Sequence, residues 1–423
     1  MAGQRIPVII DTDPGVDDVI ALLLALASPE LDILAIVLSF GNTDADASWE
    51  NVLKLYDVIR RNNEQRPEEK DRFYNFHHSR PILAIGSHGP LEGALHSAQY
   101  FHGRYGRDGL GDIAQRYPDI VAPEAKDVPQ LQPTDKSGID VAFELIRDQP
   151  ARSITYMALG PLTNLASIVR KDPKLVRERI GRVVCMGGAI DVPGNTSPTA
   201  EFNFFADPFA VKELLIPTRL GDGIPLDRFL LMPLDITTPH ELPFDVYRSK
   251  VDPAFESAPG AAAGKGPLTH FTSAFLERTR EIMLQFGKDA MELHDIVAVW
   301  CAIANPPQPE GQMPELAPGW AATGRAFDIE RYGELTRGMC VVDRRADDGA
   351  YEIGANRADA HAKKEQAEVE PLDSHHVPAL VETETKYAAD GHRPKILCIT
   401  ETPGPRALLE LLLKRVWGIE PAA

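Results

Sequence analysis

The chain has 423 residues, with 62 acidic against 44 basic side chains for a formal charge of −18, and 43% of its positions are hydrophobic. That composition excludes disorder of the whole chain, and the length allows two or three domains of roughly 150 residues or one large α/β domain with insertions. The acidic balance argues against a grip on nucleic acid or an anionic membrane surface, which needs clustered Lys and Arg, and suits a small neutral or cationic ligand.

Ile6 to Ile10 is a β-branched run that meets Asp11 before any apolar stretch could serve as a secretion signal. Val19 to Ala27, closed by Ser28-Pro29, has the pattern of a buried helix and is too short to span a bilayer, which needs about 20 residues. A soluble, cytoplasmic chain is expected. Leu31 to Ser39 is a second apolar strand, which completes a βαβ unit. The rhythm returns in a helix over Ile139 to Arg147, a strand over Ser153 to Leu159, a helix over Leu162 to Arg170 and a strand over Arg182 to Met186 that exits at Gly187-Gly188. The fold class expected is α/β, an open and mostly parallel central sheet with helices on both faces. Ligands of such sheets bind at the carboxyl ends of the strands, so the loops after Ile10, Ser39, Leu159 and Met186 are the ones to search.

Four stretches break the rhythm and read as surface insertions or linkers: residues 60–80, 112–137, 257–267 and 357–393. The last carries five basic and eight acidic residues and four histidines, His361, His375, His376 and His392, without the compact spacing of a zinc site. Beyond it, Lys395 to Ile399 reads as a strand and Arg406 to Trp417 as a leucine-rich helix. Cys185, Cys301, Cys340 and Cys398 stand singly among apolar neighbours, as buried free thiols do.

The strongest chemical signal is Asp11-Thr12-Asp13-Pro14-Gly15-Val16-Asp17-Asp18, four carboxylates in eight residues at the end of a buried strand. Their mutual repulsion calls for a cation or firm hydrogen bonds, and oxygen-only ligands select a hard metal. The competing reading is a helix N-terminus whose acids suit its dipole. An EF-hand is excluded, since Val16 stands where its loop needs Gly and Leu22 where it needs Glu. His240-Glu241 lacks the second His of a zinc protease, and Gly264-Lys265 lacks the rest of a phosphate loop.

A second signal is Gly194-Asn195-Thr196-Ser197-Pro198-Thr199-Ala200-Glu201-Phe202-Asn203, where two amides and a carboxylate follow the Gly-Gly strand exit. Such groups both donate to and accept from vicinal sugar hydroxyls, although the same residues also make a good turn. The third is His294-Asp295, directly before the apolar run Ile296 to Ala302, where the Asp could equally be a helix cap.

Together these stretches resemble the inosine-uridine-preferring nucleoside hydrolase family, whose hallmark is an amino-terminal Asp-x-Asp-Pro-Gly-x-Asp-Asp. The resemblance continues through Gly41-Asn42, Leu159 to Asn164, Met186-Gly187-Gly188, Asn195 to Asn203 with Ala206-Asp207-Pro208, His294-Asp295 and Gly333 to Gly338. It implies one domain over residues 1–423, with insertions at 60–80, 112–137 and 357–393, hydrolysing ribonucleosides and assembled as a homodimer or homotetramer. It implies Ca²⁺ held by Asp13, Asp18, Asp295 and the backbone carbonyl of Leu159. Ribose contacts would fall to Asp17, Asn42, Asn195, Glu201, Phe202 and Asn203, and Asp11 would support the loop. Asp13 would act as base toward water and His294 as acid toward the departing nucleobase. One departure is Tyr105, in Tyr105-Gly106-Arg107-Asp108-Gly109-Leu110, where many relatives carry a His; His102 lies three residues earlier.

The residue inventory suits that chemistry. Breaking an N-glycosidic bond builds positive charge on the ribose ring, to which a carboxylate-rich floor is complementary. Two rivals remain at this point: a silent nucleoside- or ribose-binding protein, and an aspartate-nucleophile phosphatase, whose downstream Lys motif is not evident.

Overall fold

The structure, a computed structural model, describes residues 5–96, 108–219, 221–256, 264–308, 315–344 and 394–420. Strand β1 (Ile6–Thr12), helix α1 (Val16–Leu26) and strand β2 (Leu31–Leu38) form the expected βαβ unit, with β1 and β2 paired in parallel. α1 starts earlier than its apolar run because Asp17 and Asp18 occupy its first turn, where the N-terminal dipole favours acids. After the long helix α2 (Ala45–Gln65) come β3 (Ile82–Ile85), β4 (Gln132–Pro133), β5 (Thr155–Ala158), β6 (Arg182–Met186) and β7 (Phe229–Met232). The strands order as Ala321–Arg325, Ile396–Glu401, β7, β6, β5, β1, β2, β3, β4. Every pairing is parallel except that of Ala321–Arg325 with Ile396–Glu401. The sheet is open, as expected. The expected helices also stand, at Gly138–Asp148, Thr163–Lys171 and Pro405–Trp417.

The strands read as continuous apolar runs because both faces are covered. Val8 and Ile10 point to one core with α1 and the His294–Ala304 helix, and Ile9 points to the other with the Gly138–Asp148 and Thr163–Lys171 helices. Val19 to Leu26 are buried at every position, so α1 is apolar all round and is clasped between the sheet and its neighbouring helices. Leu23→Ala there would cost about 2–5 kcal/mol through the cavity it leaves.

Two of the polar stretches are packed. In residues 60–80, α2 continues to Gln65, Phe73 and Phe76 enter the core, and the buried Asn75 amide donates to the carbonyls of Ala25 and Ser28. In residues 112–137, Ile113, Tyr117, Ile120, Val128 and Leu131 are core residues and β4 adds an edge to β3. Reading either as a linker is corrected: a few large side chains anchor each one, and the polar remainder faces water. Residues 357–393 with their four histidines lie outside the described residues, as do His102 and Tyr105. All four cysteines are buried free thiols. Among the described residues no helix is long and apolar enough to cross a membrane.

Candidate active site

The carboxyl ends of β1, β5 and β6 meet the N-terminus of the His294–Ala304 helix, and there the acids gather. Asp13 and Asp18 are fully buried and Asp295 nearly so. One carboxylate oxygen from each of Asp17, Asp18 and Asp295 lies within 4.8 Å of the others. Asp295 takes no part in capping its helix, whose cap position is Leu293 without a side-chain hydrogen bond. Asp18 is held from several sides: it accepts from Thr12 Oγ1, from the Gly15 N–H at 3.1 Å and from Asn42 Nδ2 at 2.7 Å.

Asp13 sits beneath this group. Its Oδ2 accepts the Asn42 N–H at 2.6 Å, while its buried Oδ1 has no hydrogen-bond partner. Two glycines make the space: a Cβ on Gly41 would lie 1.9 Å from Asp13 Oδ2, and one on Gly160 would lie 2.5 Å from Oδ1. Any side chain at either position collides with the carboxylate. Asp11 is turned elsewhere, accepting from Tyr156 Oη at 2.7 Å and Asn164 Nδ2 at 2.8 Å, so it braces the strand ends.

Crowding and burial act on these groups as elementary electrostatics requires. Burial, then the Asp18 charge, holds the Asp13 pKa well above the usual carboxylate range, against the pull of the Asn42 N–H. Asp295 is raised by burial and by the charges of Asp17, Asp18 and Asp13, and Asp17 is raised by burial. Burial pushes Asp11 up to about 7.

Above the acids opens a cleft lined by Asp17, Asn42, Leu159, Asn195, Glu201, Phe202, Asn203, His294 and Asp295. Of the residues expected to contact metal or ribose or to act as acid, all but Asp13 and Asp18 line this cleft, and those two are buried beside it. Glu201 accepts the N–H groups of Gly188, Asn203 and Phe204, which tie it to the Gly-Gly exit of β6. Asn203 Nδ2 donates to the Leu159 carbonyl at 2.7 Å and to that of Met186 at 3.3 Å, bridging the ends of β5 and β6. Asn195 Oδ1 accepts the Phe202 N–H at 3.0 Å, and the Phe202 ring packs with Phe40 and Ala206. The stretch forms a turn, and the turn brings Asn195, Glu201 and Asn203 to the cleft.

His294 is engaged at both ring nitrogens, Nδ1 with Thr237 Oγ1 at 2.8 Å and Nε2 with Glu292 Oε2 at 3.0 Å. Burial alone would lower its pKa, but the hydrogen bond and charge of Glu292 outweigh it and raise the value. Glu292 correspondingly falls to about 2, burial being overcome by His294 and Lys288. Sequence reasoning missed Thr237, Lys288 and Glu292. Nothing in the sequence singled out Glu292, which ends the short strand Ala290–Glu292 just before the helix that His294 begins. The decoy motifs are structural, with His240 bonded to the Ile236 carbonyl and Thr402, and Lys265 paired with Asp252 at 2.7 Å.

Comparison with known proteins identifies a family. The model of the inosine-uridine preferring nucleoside hydrolase family matches residues 8–377. The pyrimidine-specific ribonucleoside hydrolase RihA of Salmonella arizonae is 34% identical over 348 residues, covering 80% of this chain and 89% of that protein. In fold, the chain resembles an inosine-guanosine nucleoside hydrolase (TM-score 0.65, 22% identity, covering 99% of this chain and 100% of the other). A plant nucleoside hydrolase is similar to the same degree (TM-score 0.64, 22% identity, 98% and 99% covered).

Proposed function

This chain belongs to the inosine-uridine preferring nucleoside hydrolase family and is a ribonucleoside hydrolase; on that premise, we propose that its acid floor holds Ca²⁺ and that the cleft above it cleaves the N-glycosidic bond of a ribonucleoside by water. The observation that carries the reading is the group of Asp17, Asp18 and Asp295, the last two buried, beside Asp13, whose buried Oδ1 lacks a hydrogen-bond partner. Four carboxylates crowded together, three of them (Asp13, Asp17 and Asp295) with raised pKa values, and only oxygen donors fit a hard divalent cation.

Asp13, Asp18, Asp295 and the Leu159 carbonyl would hold the ion, with Asp17 close enough to its neighbours to share either the ion or a ribose hydroxyl. When bound, Ca²⁺ lowers the pKa of adjacent water and orients vicinal hydroxyls. Asp13, through its Oδ1, accepts the proton of the attacking water. Asp17, Asn42, Asn195, Glu201 and Asn203 grip the ribose, with Phe202 packing beside it. As positive charge grows on the sugar ring, these fixed carboxylates stabilise it without reorganising. His294 gives its proton to the nitrogen of the departing base, which takes the electron pair of the broken C1′–N bond. RihA is named for pyrimidines, and uridine is therefore the first substrate to offer.

The test is release of reducing sugar from uridine and inosine by Ca²⁺-loaded protein. Ribose from either supports the reading. Tight nucleoside binding without release would make the chain a silent binding protein, and turnover of a phosphate ester alone would make it a phosphatase.

A further inference from the structure

The pole of the sheet opposite the cleft carries a charge that the acid floor does not account for. Arg182 opens β6 and pairs in register with Thr155 at the start of β5, so the two side chains stand on the same face of the sheet. On that face Met157 and Val184, two residues further along each strand, share a core with the His294–Ala304 helix. Thr155 is fully buried and Arg182 is 2% exposed. Arg182 Nε and Nη1 and Thr155 Oγ1 are all buried without a hydrogen-bond partner, and among the described residues no carboxylate pairs with the guanidinium. The polar groups at the end of the helix are already used. Asn305 gives Nδ2 to the Cys301 carbonyl, and its Oδ1 accepts the Ala317 N–H. Cys301 is near enough to feel the Arg182 charge, but burial pushes its thiol up to about 12, so it stays neutral and leaves that charge unbalanced.

A guanidinium keeps its charge in a folded protein, and a buried charge without a partner is strongly destabilising. Water would satisfy its hydrogen bonds and leave the charge. All three unpartnered atoms can donate, and donors around a fixed positive charge suit an anion. We propose that Arg182 and Thr155 bind a small inorganic anion, chloride, between the amino ends of β5 and β6 and the Cys301 end of the His294–Ala304 helix. Its size follows from the walls. Met157, Val184 and Cys301 are fully buried, and a single-atom monovalent anion loses less hydration on entering such apolar surroundings than a phosphate does. A groove of about 610 Å³ at the same pole supplies the approach; its lining includes Ser153, two residues before Thr155, and Pro306, just beyond Asn305. Its charged groups are Arg5, Arg152 and Glu178, a balance that favours an anion. Once bound, the anion ties two strand ends to the helix that carries His294 and Asp295 at its far end, so its effect falls on the stability of the fold.

The test uses the full chain in sodium gluconate, whose anion is too large for the site, after ion chromatography verifies that chloride has been removed. Chloride or bromide then replaces gluconate at constant ionic strength and pH while the melting temperature is followed. In wild type it is expected to climb by a few degrees and level off as the site fills. Arg182→Met, of similar length and without charge, is expected to lose that saturable rise. Thr155→Val, which keeps the guanidinium and removes one donor, should need about 3–10-fold more chloride for the same rise, and it decides the matter if Arg182→Met does not fold. In wild-type crystals grown with bromide at the level where the rise stops, an anomalous peak is expected beside Arg182 Nε. A melting temperature indifferent to the anion, a rise equal in wild type and Arg182→Met, an unchanged chloride requirement in Thr155→Val, or water in place of the bromide peak would overturn the proposal.

Discussion

The floor of the cleft and the wall above it are built by different means. Floor groups sit at the ends of parallel strands, and much of what holds them is backbone: Asp13 by the Asn42 N–H, Glu201 by three N–H groups, and Asn203 by two strand-end carbonyls. The wall holds His294 through side chains alone, Thr237 and Glu292, the latter fixed in turn by Lys288. A backbone-held group cannot be re-aimed without moving the sheet. A side-chain-held group can be retuned by single substitutions. On the proposed assignments, the side of the site that would hold the sugar is the rigid half and the side that would meet the base the adjustable half.

Four measurements would break or sharpen that contrast. The largest effect is expected for the sugar: deoxyuridine should be turned over about 10⁴-fold or more slowly than uridine in kcat/KM, since a site built around a hydroxyl rejects its absence. Comparable values would mean that the floor does not read the 2′-hydroxyl. Next, Asp13→Asn should lower kcat by about 10²–10⁴-fold on every substrate, p-nitrophenyl riboside included, because activation of water precedes any choice of leaving group. A loss confined to natural nucleosides would move Asp13 out of that role. His294→Ala should lose up to a similar factor on uridine and inosine and little on p-nitrophenyl riboside.

The smallest effect is on stability. Asp11 is raised from 3.8 to about 7 in the folded chain, so between those values the folded state binds a proton that the unfolded state has released. Stability of metal-free protein therefore falls as pH rises through that window, and Asp13 and Asp295, raised well above their ordinary values, add to the fall. Melting temperatures of the metal-free protein should decline from pH 4 to pH 7 across the window set by Asp11, and Ca²⁺ should restore stability most at the upper end. A metal-free protein that becomes more stable over this window would contradict the crowded-acid account.

Much of the floor was legible in the sequence because crowded acids at a strand end are energetically conspicuous. Asp17 and Asp18 do meet Asp295 from far along the chain, with Asp13 near enough for its charge to act on Asp295. The sequence did not separate the carboxylates by job: Asp11 looks like its neighbours in the motif, yet its partners are Tyr156 and Asn164, whose approach is a matter of tertiary packing. In the wall, His294 was visible but Glu292 was not, since one acid in a sequence with 62 attracts no notice until its partner is known. Residues 60–80 and 112–137 misled for a related reason. Phe73, Phe76, Tyr117 and Leu131 are few among polar neighbours, and it is their burial, not their number, that fixes those stretches to the core.

On the proposed reading, the acids of the floor work as a site only against a divalent cation. Its most direct test strips the purified protein with a chelator, verifies its metal content by elemental analysis, and follows ribose release from uridine before and after Ca²⁺ is returned. Negligible release is expected from the stripped protein and recovery on addition of Ca²⁺, with one ion retained per chain in wild type and none in Asp18→Ala. Full activity in a sample free of metal would contradict it.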